Sequence, residues 1–425
     1  MIRSWPRLTV ALIALSIVSA IAVHAQVGGL ISGTVKDVLE GVISDAKVTI
    51  SNTETLVERA VAVNALGVFS APNLRPGTYT VSATSPGFKT VVRSNVILSV
   101  GAELIVDLEL PVGQVNEQVQ VKGELPDVEQ ASSTLNYSVN STTVRELPLN
   151  GRDWTQLALL QPGVGTVDQS ALAVSNQRAN RGLGTQLSIG GNRPQQNNYR
   201  LDGISINDYS NGGPGSILGA LLGVEAIQEF SVITNNAPAN FGRTGGGVIN
   251  AISRPGTNQL RGSAYEFLRN SSLDAPNYFD VAGIPPFRRN QFGVDAGGPI
   301  RKSKTFIFGD YEGVRQSLAT TQVISVPSAA AHNGQLAGGA VTVDPKVVPY
   351  LSLYPLPNGA VSGDIGVYSL PTTTGTREDF FTTRVDHQIS TKDSLFGTYM
   401  FDDGRTTAPD AFNNKVVARL CRTPS

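Results

Sequence analysis

The chain has 425 residues, with 33 Lys and Arg against 34 Asp and Glu, and a formal net charge of −1. So even a balance argues against nucleic acid as the partner. One cysteine, Cys421, and three histidines exclude a disulfide framework and a Cys/His zinc site, and they leave almost no candidate for a Ser-His-Asp triad.

Arg3 and Arg7 precede an apolar run at 8–23 ("LTVALIALSIVSAIAV"), followed by "VHAQ". A short basic region, an apolar stretch and small residues are the layout of a secretory signal peptide, with cleavage expected after Ala25. The alternative is an anchoring helix, but the run is short of the roughly 20 apolar residues that a span needs. Losing Arg3 and Arg7 takes the formal net charge from −1 to −3. His24 leaves with them, so His332 and His387 remain; His387 reads as a solvated strand residue. About 400 residues are left, which predicts more than one domain.

Residues 28–111 alternate apolar and polar positions between regularly spaced turns. "DAKVTISN" puts Ala46, Val48 and Ile50 on one face. Pro76-Gly77 and Pro86-Gly87 bracket a strand with Tyr79, Val81 and Ala83 inward. "AELIVDLEL" aligns Leu104, Val106, Leu108 and Leu110. This pattern predicts a β-sandwich whose core includes Val35, Val48, Ile50, Phe69, Tyr79, Val81, Val106 and Leu108. The pieces "GTVKD", "DAKVTI", "GVFS", "LRPGTYTV" and "PGF" resemble the carboxypeptidase regulatory-like domain, a transthyretin-like fold often classed with carbohydrate-binding folds. "NALG" at 64–67 departs from that family's usual acidic turn. The resemblance implies no catalytic residue.

A polar linker follows at 113–126, containing a short β-prone piece made of Asn116, Glu117, Gln118, Val119, Gln120 and Val121. It is either an ordinary interdomain strand or a strand able to add to a partner's sheet edge. Further on, Thr143-x-x-Glu146 is a possible capping box for a short helix that Pro148 stops. Trp154, Leu157 and Leu160 recur at helical spacing and read as core. "TQLSIGG", "NYRLDGISIND", a small-residue helix at 216–222, "AIQEFSVIT" and "GVINAIS" give α/β material with glycine-rich connections.

The set "LPLNGRDW", "LSIGGNRPQQNNYRLDGISIND" and "VITNNAPANFGRTGGGVINAISRPG" resembles the plug of TonB-dependent outer-membrane receptors, in particular the Oar-like group with an N-terminal carboxypeptidase regulatory-like domain. The resemblance covers about 127–255 and rests on Asn150, Gly151, Arg152, Gly190, Gly191, Asn192, Arg193, Arg200, Asp202, Gly203, Gly245, Gly246 and Gly247. A plug stands in a polar barrel lumen, so a surface rich in Asn, Gln and Arg suits it. Arg200, Asp202 and Asp208 are then contacts within the plug or to the barrel. A metal site from Asp202, Asn207 and Asp208 lacks the dense acidic loop that calcium favours. "TGGGVIN" has no following Lys-Ser/Thr and opens a strand, so a tight turn is preferred to a phosphate cradle.

After Gly256 long alternating segments return. Tyr265 and Phe267 oppose Glu266; Phe292, Val294 and Ala296 oppose Gln291 and Asp295; Phe381, Thr383 and Val385 oppose Arg384 and Asp386. Leu395, Gly397, Tyr399 and Phe401 share a face. Apolar-out, polar-in strands are what an outer-membrane barrel needs.

The expected organisation is a mainly β chain: signal peptide 1–25, sandwich 26–112, linker 113–126, plug 127–255, and the first strands of an incomplete transmembrane β-barrel, 256–425. A plugged barrel has about 22 strands, so the chain is expected to be an N-terminal fragment. The resemblance implies energised uptake of an extracellular ligand, with carbohydrate and peptide as the candidate classes. It implies a TonB-type inner-membrane complex acting on residues 116–121, outer-membrane lipid and the barrel-assembly machinery as partners, and no enzymatic activity, cofactor or metal. The other reading is a secreted adhesive or carbohydrate-binding sandwich, which exposed aromatic side chains on the sandwich would favour.

Overall fold

The computed structural model describes residues 28–114, 118–121, 134–147, 149, 152–167, 186–207, 223–242, 245–275, 284, 286–391 and 393–407. The signal segment and the helix expected at 216–222 lie outside them, as do Asn116, Glu117, Asn150, Gly151 and Asp208. The chain is mainly β, as its alternation predicts.

Gly29–Asp37 pairs antiparallel with Val68–Leu74 and parallel with Glu103–Ile105 and Leu108–Leu110. The facing sheet runs in the order Glu58–Ala62, Lys47–Asn52, Gly77–Thr84, Thr90–Leu98, Gln118–Val121. Side chains that alternate along each strand meet between the two sheets. All eight core residues expected from the sequence are buried there, none more than 4 % exposed. Leu104 is only half-buried.

The linker departs from expectation. Gln118–Val121 is the last strand of the second sheet and runs parallel to Thr90–Leu98, from Thr90 opposite Gln118 to Arg93 opposite Val121. Val119 packs against the sandwich core, which fixes the strand there. Its outer edge carries no strand among the described residues.

A central five-stranded sheet follows, in the order Leu135–Asn140, Ile227–Asn235, Val248–Ser253, Asn198–Leu201, Ile204–Ser205. Val248–Ser253 is buried along its whole length, as a middle strand covered on both faces must be. The helix Ser141–Glu146 is capped by Asn140, which accepts from the Thr143 N–H, so Asn140 takes the capping place expected of Thr143. Trp154–Leu160 is a 3₁₀ helix capped by Asp153. Trp154 and Leu157 are core, with Trp154 against Phe230, but Leu160 is exposed at the helix end.

The third unit is a wall of long antiparallel strands: Arg261–Asn270, Phe287–Arg301, Thr305–Pro327, Ile365–Gln388 and Ser394–Thr407, with the short Val361–Ser362 at one end. Strands of 23 and 24 residues, Thr305–Pro327 and Ile365–Gln388, pair along their full length. A membrane crossing uses about 9–11 residues of a strand, so much of this ribbon projects beyond one. Arg261–Asn270 and Ser394–Thr407 have one partner strand each among the described residues, so the sheet is not closed there.

Directly opposed residues share a face, so the register sorts this wall. Gln291, Asp295, Asp310, Glu312, Arg384 and Asp386 are buried on the face toward the central domain. Val294, Ile307, Phe381, Val385, Leu395, Tyr399 and Phe401 stand exposed on the other. Tyr265 and Phe267 correct the apolar-out pattern. They sit opposite Gly293 and Gln291 and so point inward, while Glu266, opposite Phe292, points outward.

Candidate functional site

The Asn- and Gly-rich stretch around 188–208 is a framework of backbone crosslinks. Asn197, fully buried, donates from Nδ2 to the Leu187 carbonyl (2.7 Å) and accepts the Gly247 N–H at Oδ1 (3.2 Å). Asn207 accepts from the Tyr199 N–H and donates to the Asn197 carbonyl, each at 2.8 Å. Asn192 donates to the Ile189 carbonyl (3.1 Å), and the Arg193 N–H donates to Gln196 Oε1 (3.0 Å). Buried amides satisfy loop backbone in this way beside the domain's apolar core. Gly190 and Gly191 form the turn before Asn192. Gly245 to Gly247 form a tight turn in which a Cβ at Gly246 or Gly247 would collide with Asn197 or Ile189. Close packing accounts for Gly246 and Gly247, whereas a Cβ at Gly245 would meet open space.

Asp202 and Gly203 are the two central residues of a hairpin, with Leu201 opposite Ile204, and both have positive φ (50° and 83°). That is the backbone that selects Asp-Gly in a two-residue turn. The turn aims the Asp202 carboxylate at the wall. Oδ1 accepts from the Ser253 N–H (3.0 Å) and from Arg384 Nη1 (3.0 Å). Oδ2 accepts from Ser253 Oγ (2.6 Å) and Thr398 Oγ1 (3.0 Å). Asp202 and Asn207, two residues of the metal alternative, are committed in this way; the third, Asp208, lies outside the described residues.

Arg384 is the centre of the arrangement. It reaches Asp202 and the Ser253 carbonyl (2.8 Å) in the central domain and is held by Asp386 two residues along its own strand, Nε to Oδ2 and Nη2 to Oδ1, each 3.0 Å. The guanidinium also lies 4.6 Å from the Phe396 ring centroid. On the sandwich, Arg75 pairs with the same Asp386 at 2.7 Å. All three units therefore meet at one buried chain, Arg75–Asp386–Arg384–Asp202.

Two further contacts join the central domain to the wall. Arg152 pairs with Glu225 (2.7 Å) and lies over the rings of Tyr265 and Phe267 at 4.7 and 4.4 Å. These cation–π contacts are why the two rings point inward. Arg254 pairs with Asp295 (3.3 Å). Arg200 lies over Phe241 of its own domain at 4.9 Å. The sandwich also touches the wall's short-turn end, where the Asn258 N–H donates to the Glu54 carbonyl (3.2 Å).

Glu229 ties the sandwich to the central domain. Its Oε1 accepts from the Val100 N–H (3.0 Å) and from Ser138 Oγ (2.6 Å). Burial pushes this carboxyl above the ordinary carboxylate range, against the hydrogen bonds from Ser138, Val100 and Ser99. The folded form therefore holds its proton more tightly than the unfolded chain. Stability is greatest below the unfolded value and falls as pH rises from there to the raised folded value. Glu229→Gln, which keeps the acceptor without the charge, should flatten this part of the profile. Thermal unfolding of both forms across pH 4 to 7 (roughly the window set by an ordinary carboxyl) checks it; parallel profiles would remove Glu229 from the account.

The sequence placed Arg200, Asp202 and Asp208 at such contacts, of which Asp208 lies outside the described residues, and set Arg384 and Asp386 on the inner face; Arg152 was named only as part of the motif. It gave no sign of Arg75, Glu225, Glu229 or Arg254 as partners. The one hint was a charge within an otherwise apolar strand pattern, as in "VEAIQEFSVIT".

Residues 30–111 match the carboxypeptidase regulatory-like domain family, and residues 252–420 match the outer membrane beta barrel domain family. The TonB-dependent transporter Oar of Myxococcus xanthus is 28% identical over 283 residues, covering 63% of this chain and 25% of that protein. The chain thus spans about a quarter of the length of the curated relative it matches. The siderophore receptor PirA of Acinetobacter baumannii has a TM-score of 0.39 at 16% identity, over 70% of this chain and 36% of that one. The outer membrane transporter YddB of Escherichia coli has a TM-score of 0.34 at 14% identity, over 65% and 37%. The chain is thus similar to the TonB-dependent transporter Oar, and its carboxypeptidase regulatory-like match lies ahead of its outer membrane beta barrel match.

Proposed function

We propose that this chain is a homologue of Oar and acts as a TonB-dependent outer-membrane receptor, in which 127–255 is the plug and 256–425 is barrel wall, and that it takes up an extracellular ligand without chemically altering it. The observation that carries this reading is the buried Arg384–Asp202 pair. It fastens a polar central domain to the inner face of a wall whose outer face is apolar. A plug needs that geometry: charged contacts inside the barrel, hydrocarbon outside. The signal reading at 1–25 supplies export. The apolar face calls for membrane lipid and for assembly machinery to insert it. The sandwich lies at the wall's short-turn end, which is the periplasmic end in such barrels. Its rings Phe69 and Tyr79 are buried, so a positioning role for the sandwich is preferred to carbohydrate capture.

The coupling segment is assigned to residues 116–121. Gln118–Val121 is a sheet-edge strand, and strand addition needs only backbone groups. In membrane-inserted protein, Val119→Pro should abolish capture of the periplasmic domain of the TonB-type partner, because proline removes a ladder donor and the Val119 contact with the sandwich. Outer-membrane insertion should be unchanged. Undiminished capture would move the coupling segment elsewhere, and protein found in the soluble fraction would overturn the receptor reading itself.

A further inference from the structure

We propose that the outer face of the wall carries a binding row for the phosphate groups of a lipid headgroup in the outer leaflet, a proposal that rests on the barrel reading above. Arg315, Arg377 and Arg405 stand abreast on three neighbouring strands: Arg315 is opposite Arg377, and Arg377 is opposite Arg405. Asn290 continues the row opposite Arg315, and Arg288 lies two residues further along the same strand. The register places all of them on the face of Phe381 and Phe401, away from the central domain. Like charges set directly opposite one another destabilise a sheet, so such a row persists only where anions answer it.

Asp379 answers part of it, at 2.6 Å from Arg315 and 2.8 Å from Arg377, and Asp403 lies 3.6 Å from Arg405. Four arginines against these two aspartates leave the patch positive. The Arg377 and Arg405 side chains are 65% and 76% exposed. With Asn270 and Asn290 the arginines line an open groove of about 650 Å³, room for a sugar phosphate. Guanidinium groups flanked by amides suit a phosphate, which takes bidentate donors.

Height in the membrane identifies the source of that phosphate. The chain makes its short turn before Thr305, and the long connection after Pro327 lies at the opposite, outward end. Ten residues separate Thr305 from Arg315. At about 3.3 Å per residue and a tilt of about 45°, the rise is roughly 23 Å, near the apolar band of about 25 Å. Tyr311, Phe381 and Phe401, aligned across the same strands, form the aromatic belt just below the arginines. The row therefore sits at the outer headgroup level, on the lipid side. A soluble ligand on its way through the barrel would meet the other face.

The test uses protein extracted from a Gram-negative outer membrane, with the phosphorylated glycolipid that stays bound counted by native mass spectrometry. Arg377→Ala with Arg405→Ala should retain about 25-fold less of it, since each arginine near a charged headgroup contributes roughly fivefold. Delipidated wild type should rebind bisphosphorylated lipid A and not its dephosphorylated form. Equal retention by the variant, or equal rebinding of the dephosphorylated lipid, would overturn the proposal. So would full displacement by inorganic phosphate at matched concentration, which would mark a soluble-anion site. Heat-modifiable mobility of the wild type checks the barrel reading separately. If the alanine pair does not insert, Arg405→Gln alone supplies the same readout.

Discussion

Arg384→Met is expected to loosen the central domain from the strand wall by about 3–5 kcal/mol, the cost of leaving a buried carboxylate without its cation. Arg384 is 3% exposed and Asp386 1%. Asp386 keeps Arg75 as a partner, but Asp202 keeps only Ser253 and Thr398. The uncompensated charge therefore falls on the central-domain side of the interface. Adding Asp202→Asn should restore part of the loss, because the amide needs no counter-ion. Limited proteolysis of the central domain along a urea series reads both variants. If Arg384→Met shifts the cleavage midpoint no more than an exposed control such as Arg301→Met, the pair does not hold that domain.

The second large effect belongs to the sandwich. Phe69→Ala in residues 28–121 expressed alone should cost about 3–5 kcal/mol of unfolding free energy, as removal of a buried ring does. Phe69 is 1% exposed, within a core that runs from Ile31 to Leu110. Because the core is contained within those residues, the isolated segment should unfold in one cooperative step by urea titration. A loss within the ±0.5 kcal/mol usual for surface substitutions would mean that the ring is not in the core.

These two residues also mark what the amino-acid sequence determined and what it did not. Phe69, Val81 and Val106 were legible as core because strand alternation is local: one face of a strand must be apolar for two sheets to pack, and the spacing alone shows which. The Asp-Gly turn at 202–203 is local in the same sense, since its backbone demands those residue types, but Asp202 and Gly203 were read only as part of a motif. The inward side of Arg384 and Asp386 could be read from their own strand. Their partners could not. Asp202 lies 182 positions from Arg384. Nothing local distinguishes an arginine that will be buried against a distant aspartate from one that faces water. Tyr265 and Phe267 show the same limit from the other direction. Their alternation was correct, but which side faces the interior was decided by Arg152, more than a hundred residues earlier in the chain. Gln118–Val121 read as linker because its neighbours are polar, and only the open edge of Thr90–Leu98 made it a strand of the sandwich. Periodicity is a property of a segment, whereas charge pairing, facing and edge capture depend on which segments the completed fold brings together.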